Sequence, residues 1–331
     1  MNVADPGRRP AAPVHPDRNL GMELVRATEA AAIRASHYVG KGDKNAADGA
    51  AVDAMRAFLS TVSFDGIVVI GEGEKDEAPM LYNGERVGDG HGPRCDIAVD
   101  PIDGTSLTAA GRLDALSMIA VADRGSMFDP SAVFYMEKLV AGPEARGVID
   151  IRQPIGENIR ALASAKGMPV GDMRVAVLDR PRHAELIQAI RATGAGTELL
   201  LDGDVAGAIN AAREDSRVDM CIGVGGTPEG VISACAVKAL SGFIQGVLRP
   251  SSDLERARAE SQGLDVDAVL ESGDLVRSDN VYFVATGVTS GSLVRGVERV
   301  GGRIRTESIV LRSQSQTVRR VTGDHLADRW A

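Results

Sequence analysis

The sequence predicts an α/β protein built in layers, and three observations carry that expectation. Two amphipathic helical stretches precede a short β-branched run that ends at a glycine. From about Arg152 onward, strand-like and helix-like segments alternate over short connections, the pattern of a parallel α/β unit. The chain has 331 residues, 44% hydrophobic and 25% charged, which is an ordinary globular composition and too long for one small core. The expected organisation is a loose tail over 1–17, an N-terminal α+β half over 18–150 and a C-terminal α/β half over 151–331.

Taken in order, Asn19–Val39 reads as a helix with Leu20, Leu24, Ala27, Ala31 and Ala35 near one face. A polar break runs from Gly40 to Asn45. A second helix is expected from about Asp48 to Val62, with Val52, Met55, Leu59 and Val62 at helical spacing. Gly66–Ile70 is a buried strand stopped by Gly71, followed by an acid- and glycine-rich loop from Glu72 to Gly92. A strand from Asp96 ends in Asp100-Pro-Ile-Asp-Gly-Thr105. Leu116–Ala122 and Ala132–Ala141 read as further strands, adjacent and antiparallel. Strands at Arg174–Leu178, Glu198–Leu201 and Val218–Val224 then alternate with helices at His183–Ala192, Val205–Ala212 and Pro228–Leu240. Pro250–Gly263 reads as a charged surface helix, and Ser308–Val321 as strands.

Composition removes several classes of partner. Lys and Arg total 37 against 46 Asp and Glu, a net charge of −9, and no dense basic stretch occurs, so nucleic acid and anionic membrane are not expected partners. Aromatics are 3%, too few for base-stacking platforms. No apolar run approaches the roughly 18 residues that span a bilayer. Met1–Asp17 carries Pro6, Pro10, Pro13 and Pro16 without an apolar signal core. Cys95, Cys221 and Cys235 are odd in number and form no CxxC pair, as expected of small buried thiols in a reducing, cytoplasmic setting.

The chemistry lies in where the acids fall. Glu72 and Glu74 follow one strand, Asp100 and Asp103 end another, and Glu229 lies just past a third. Ligands of open α/β sheets bind at the carboxyl ends of strands. In Asp100–Thr105, Pro101 stiffens the strand exit, Gly104 permits a close approach, and Thr105 can cap a following helix. The amides of Gly104, Thr105 and Ser106 would then offer an anion site beside two carboxylates. An Asp-Gly turn with a threonine cap is the alternative. Two unscreened charges 4 Å apart cost on the order of 4 kcal/mol, so a cluster of Asp48, Glu72, Asp100, Asp103 and Glu229 requires cations or protons. Oxygen donors without nearby His or Cys select Mg²⁺ or Mn²⁺. The Gly223–Gly230 run is not a dinucleotide fingerprint, because Pro228 occupies its sixth position; it reads as Thr227 capping a helix with Pro228 first and Glu229 at its mouth.

These motifs resemble those of the lithium-sensitive, metal-dependent sugar and inositol phosphatases, and more narrowly of bacterial class II fructose-1,6-bisphosphatases. The resemblance rests on Gly71-Glu-Gly-Glu74, Asp100-Pro-Ile-Asp-Gly-Thr105 and Gly225-Gly-Thr-Pro-Glu229. It extends to Gly42–Asp48, Asp76–Tyr82, Phe134–Lys138, Arg180–His183, Leu201–Asp204 and Ser278–Val281. It implies a layered α/β/α/β/α sandwich of the sugar phosphatase type, assembled as a homotetramer or homodimer. The implied activity is hydrolysis of a small-molecule sugar bisphosphate, fructose 1,6-bisphosphate, in gluconeogenesis. Sedoheptulose 1,7-bisphosphate is the near alternative and inositol monophosphate the more distant one.

By position, the resemblance implies that Asp48 and Glu72 hold one metal while Asp100, Asp103 and Glu229 hold another. Some members carry Glu at the place of Asp103, and its shorter arm bears on metal preference. Asp103, Gly104 and Thr105 would contact the scissile phosphate, with Thr105 orienting water. Tyr135, Arg180, Pro181, Arg182, Asp202, Gly203, Asp204 and Gly226 would line the sugar and its other phosphate. Arg180 and Arg182, two apart, face one side of an extended segment and suit a second phosphate; a solvated surface pair is the alternative. Asp202 and Asp204 can accept from sugar hydroxyls, or serve a turn and a cap. Tyr135 could equally be a core residue. Lys44 and Asp76, beside the metal motifs, are candidates for proton handling, or lie on the solvated surface.

Overall fold

The computed structural model describes residues 20–72 and 80–330. The tail expected over Met1–Asp17, and Glu74 and Asp76 of the acid-rich loop, lie outside the described residues.

The chain opens with α1 (Leu20–Ser36), whose Leu24, Ala27, Ala31 and Ala35 are fully buried, and α2 (Lys44–Leu59). The second helix starts about one turn before the expected Asp48, because Asp43 caps it by accepting a 2.9 Å bond from the Ala46 amide. Lys44 and Asp48 therefore stand one turn apart on one helix face. Four elements of the first sheet's early part follow: β1 (Asp65–Ile70), β2 (Arg86–Val87), β3 (Arg94–Asp103) and, after α3 (Thr105–Ala110), β4 (Leu116–Asp123). The chain then crosses to a second sheet through a short turn at Pro130–Ala132, fixed by Asp129, and enters β5 (Tyr135–Ala141).

The second sheet is built with α4 (Ile155–Lys166), β6 (Arg174–Leu178), α5 (Ala184–Ala192), β7 (Gly196–Leu200), α6 (Val205–Ala212), β8 (Met220–Gly226), α7 (Thr227–Ala239), β9 (Phe243–Leu248), α8 (Asp253–Ser261) and β10 (Leu270–Glu271). After α9 (Ser272–Leu275), the chain returns to the first sheet with β11 (Tyr282–Gly287), β12 (Glu298–Val300), β13 (Arg303–Arg312) and β14 (Thr317–Leu326). Among the described residues the first sheet runs β12-β13-β11-β4-β3-β1-β2, with β14 also paired to β13, and the second runs β10-β9-β5-β8-β6-β7.

The expected parallel unit forms, since β6 pairs in parallel with both β7 and β8, but β5 runs antiparallel between β8 and β9, so the sheet is mixed. The pairing expected between Leu116–Ala122 and Ala132–Ala141 does not form. β4 pairs with β3 and with β11 from far along the chain, while β5 pairs with β8 and β9. β4 is buried on both faces up to Asp123 and β5 from Lys138 onward, so neither shows a sustained polar side that would mark its neighbours.

Three cores give the layers their order. α1 and α2 cover the outer face of the first sheet. α6 and α7 lie between the sheets, packed on Met118, Ala120 and Phe283 of one and on Met136 and Val140 of the other. α4 and α5 cover the far face of the second sheet. The result is the α/β/α/β/α sandwich. α7 suits its central place because it is small and apolar on every side: Val231, Ala234, Cys235 and Val237 are all buried. Among the described residues no helix is long and apolar enough to cross a membrane.

Candidate active site

The end of β3 shows how the local chain presents two acids together. Asp100 pairs with Met118 and Asp103 with Leu116, so three steps on β3 oppose two on β4. In a regular strand residues three apart face opposite ways; the bulge at Pro101–Ile102 corrects the alternation. Gly104 then turns the chain at φ +84 and caps α3. Gly104 therefore takes the capping place expected of Thr105, which becomes the first helical residue, and its hydroxyl makes no cap bond. The same correction applies to α7, capped by Gly226 rather than Thr227. Both turns need backbone freedom or close approach, which glycine supplies more readily than a capping threonine.

Other segments converge on this point. The Asp48 and Glu72 carboxyls meet side chain to side chain. Burial, then the Asp48 charge, pushes the Glu72 carboxyl up to about 8, and burial raises Asp48 as well. Asp100 is held well above the usual carboxylate range by burial and by the charges of Asp103, Glu72, Glu229 and Asp48. Asp103 is raised by burial and by Asp204, Glu229 and Asp202. Burial also raises Glu229, whose Oε2 is enclosed without a hydrogen-bond partner among the described residues. Glu72, Asp100 and Glu229 line one cleft of about 600 Å³, with Phe134, Ser131 and Arg258 on its walls. Among the described residues no three of these side chains close into a finished metal cage. The all-oxygen donor set, the raised carboxyls and the unpartnered Glu229 oxygen nevertheless fit hard divalent cations.

The expected substrate contacts form a neighbouring group. Tyr135 stands opposite Gly226 across β5 and β8. The Arg182 guanidinium lies 5.5 Å from the Tyr135 ring centre, and Phe134 meets that ring edge-on. Arg182 donates from Nε (3.1 Å) and from one terminal nitrogen (2.7 Å) to the Val224 carbonyl. Arg180 instead donates to Asp202 at 2.8 Å and to the Leu201 carbonyl at 2.6 Å. The extended geometry expected of Arg180–Arg182 is thus corrected: Pro181–His183 forms a 3₁₀ turn, and the two arginines are tied to different carbonyls. Gly203, at φ +66, lies directly against the Asp103 carboxylate. Asp202 and Gly203 also line a second cleft of about 410 Å³ with Leu107 and Asn210. Lys44 donates to Ser106 Oγ at 2.6 Å, which ties the start of α2 to the start of α3 beside Thr105.

Two functional neighbours escape the sequence reading. Lys138 is buried in β5, its Nζ 2.5 Å from Asp204 Oδ2 and 3.3 Å from the Gly226 carbonyl. A lysine at an inward position of an otherwise apolar strand is the signal that could have found it. His183 is buried under the arginine turn, with Nδ1 2.8 Å from the Leu178 carbonyl and Nε2 accepting from the Val224 amide at 2.8 Å.

Two mixed sheets flanked by helices, with acids gathered where their strands end, define the fold shared by the fructose-bisphosphatases and inositol monophosphatases. Residues 18–325 match the family described as "Bacterial fructose-1,6-bisphosphatase, glpX-encoded". The chain is 45% identical over 325 residues to fructose-1,6-bisphosphatase 1 class 2 of Escherichia coli (strain K12), covering 94% of this chain and 96% of the relative. The same identity and coverage hold for the fructose-1,6-bisphosphatase class 2 of Shigella flexneri. The chain belongs to the bacterial class 2 fructose-1,6-bisphosphatase family. Its activity is the hydrolysis of fructose 1,6-bisphosphate, a step of gluconeogenic carbohydrate metabolism.

Proposed function

We propose that this hydrolysis depends on divalent cations, Mg²⁺ or Mn²⁺, held in two places: by Asp48 and Glu72, and by Asp100, Asp103 and Glu229. The observation that carries the reading is the convergence of these acids, from α2, the end of β1, β3 and α7, on Asp100, which feels the charges of the other four, with the Glu229 Oε2 buried and unpartnered among the described residues. Buried carboxylates so close together repel one another unless cations or protons intervene. The general metal dependence of the family supports the same reading. Cations bound there would polarise the transferring phosphoryl oxygens and make an attacking water more acidic.

The chain's own residues would do the rest. Asp103, Gly104 and Thr105 would seat the scissile phosphate at the turn into α3, with the Thr105 hydroxyl orienting water for in-line attack. Lys44 would hold Ser106, and so the start of that turn, in place. Asp76, four residues after Glu72 in the sequence, is proposed for proton handling. Tyr135, Asp202, Gly203, Asp204 and Gly226 would receive the sugar. Arg180, Pro181 and Arg182 would receive its remaining phosphate; Arg182 commits Nε and one terminal nitrogen to Val224, which leaves further donors of its fork for an anion.

Calorimetric titration of the metal-free protein with Mn²⁺ tests the assignment. Glu229→Gln keeps the side-chain shape but removes the charge, and is expected to weaken Mn²⁺ binding about tenfold or more, since a ligating carboxylate is lost. An unchanged titration, with activity retained, would overturn the role of Glu229.

A further inference from the structure

We propose that Lys138 is a positioning residue for the sugar end of the substrate, acting by locking Asp204 between β5 and β8. The inference rests on the reading of Asp204 as a sugar contact. Lys138 reaches Asp204 from the neighbouring strand, at 2.5 Å, and its second bond goes to the Gly226 carbonyl at 3.3 Å. Both groups it holds are therefore in the proposed sugar pocket, one a side chain and one a backbone oxygen.

The slot around the pair is built to leave it one arrangement. A side chain at Gly225 would collide with Asp204 and with Lys138 Nζ, the latter at 2.8 Å. A side chain at Gly230 would reach the Lys138 Cδ at 3.3 Å. Lys138 and Asp204 are both buried, and a cramped void beside them is walled by Leu178, Ala208 and Cys221. In such surroundings the carboxylate cannot turn away from its partner without leaving a charge unpaired.

The pair also fixes which oxygen of Asp204 is used. Oδ2 is taken by the ammonium, which leaves Oδ1 as the acceptor for a hydroxyl. Lys138 is in addition the cation whose charge acts on both Asp103 and Glu229. It thus sets Asp204 in place without touching the reacting phosphate, and its loss is expected in substrate affinity more than in the chemical step.

The test is a double-mutant cycle of Lys138→Met and Asp204→Asn, read as KM and kcat for fructose 1,6-bisphosphate and as calorimetric affinity for fructose 6-phosphate. Lys138→Met is expected to raise KM about tenfold with a smaller change in kcat, and to weaken product binding in parallel. In the Asp204→Asn background the same change should add nothing, because the group it positions is already altered. If Lys138→Met leaves an unpaired charge and does not fold, the doubly substituted protein removes both charges together. It should then match Asp204→Asn alone in KM and in product affinity. Independent, additive effects of the two substitutions would overturn the inference. So would an unchanged KM in a folded Lys138→Met variant, while Asp204→Asn is impaired. A normal KM in Asp204→Asn would instead sink the sugar contact on which the inference rests.

Discussion

Replacing Gly203 with alanine separates backbone strain from damage to the site. Gly203 sits at φ +66, where an L-residue costs about 1–2 kcal/mol. Reduced freedom of the unfolded chain offsets part of that, roughly 0.4–1 kcal/mol. The net loss of about 1 kcal/mol should lower the melting temperature by only about 2 °C in a chain of this size. The new Cβ, however, would lie 2.7 Å from Asp103 Cγ and 2.6 Å from its Oδ2. Carbon atoms in contact rest about 3.5–4.0 Å apart, so the carboxylate must retreat by roughly 1 Å. A misplacement of about 1 Å in a reacting constellation costs on the order of a hundredfold in rate. Gly167 provides the control, because it has the same φ of +66 at the end of α4 and nothing within 4 Å of its would-be Cβ. Phosphate release at saturating fructose 1,6-bisphosphate and thermal melting are measured for both variants. Gly203→Ala is expected to lose most turnover and Gly167→Ala none, with similar melting shifts. Turnover in Gly203→Ala within twofold of the wild type would refute the placement of Asp103 at the reaction.

Thr105→Ala should lose most turnover, about a hundredfold, while melting as the wild type does, because the hydroxyl makes no cap bond that the helix needs; wild-type turnover would remove that hydroxyl from the mechanism. The acids predict a pH dependence of the metal-free protein. A carboxyl raised from 4.5 to about 8 in the folded state, as Glu72 is, binds its proton more tightly there than when unfolded. Its stabilising contribution is complete below about pH 4.5 and is lost as pH rises through about 8; Asp48, Asp100, Asp103 and Glu229 are raised in the same direction. The metal-free melting temperature should therefore fall from pH 5 to 8, while Mn²⁺ affinity rises over the same interval as protons cease to compete. A metal-free melting temperature that climbs across that range would contradict the clustering.

What the sequence made legible was local. Gly66–Ile70, the strand ending at Asp100, and the alternation after Arg152 could all be read from apolar runs and their stops, and acids at strand ends marked the candidate site. The start of α2 lies about one turn before the point its apolar spacing marks, because Asp43 sits in a run of Gly, Lys and Asn that reads as loop, and only its bond to the Ala46 amide makes it a cap. Thr105 and Thr227 are natural capping choices by residue type, yet the preceding glycines take those places, Gly104 because the chain turns there at positive φ and Gly226 because the Glu229 side chain packs against it. Strand partners were the larger loss. β4 and β5 are near in sequence, both largely buried, and end in different sheets because β11 and β8 arrive from far along the chain. No pattern within either strand records that.

The same limit explains why Lys138 escaped notice while the carboxylates did not. An acid beside a glycine at a strand end is conspicuous in one dimension. A lysine inside Tyr135–Ala141 looks like a misplaced surface charge until β8 and the start of α6 are laid beside it. Burying an ammonium is unfavourable without a partner, so its presence in an inward position already requires an acid nearby. The sequence offers many acids, and topology alone selects Asp204. The positive charge thus belongs to the site's construction as much as the negative ones do. Seven acids, Asp48, Glu72, Asp100, Asp103, Asp202, Asp204 and Glu229, act on one another here, and Lys138 and Arg180 pair directly with only Asp204 and Asp202. The remaining five are the set proposed to meet divalent cations. On the proposed reading, pairing of the two aspartates would divide the acids into a sugar side that needs no metal and a phosphate side that does, a division set by which strands bring Lys138 and Arg180 within reach.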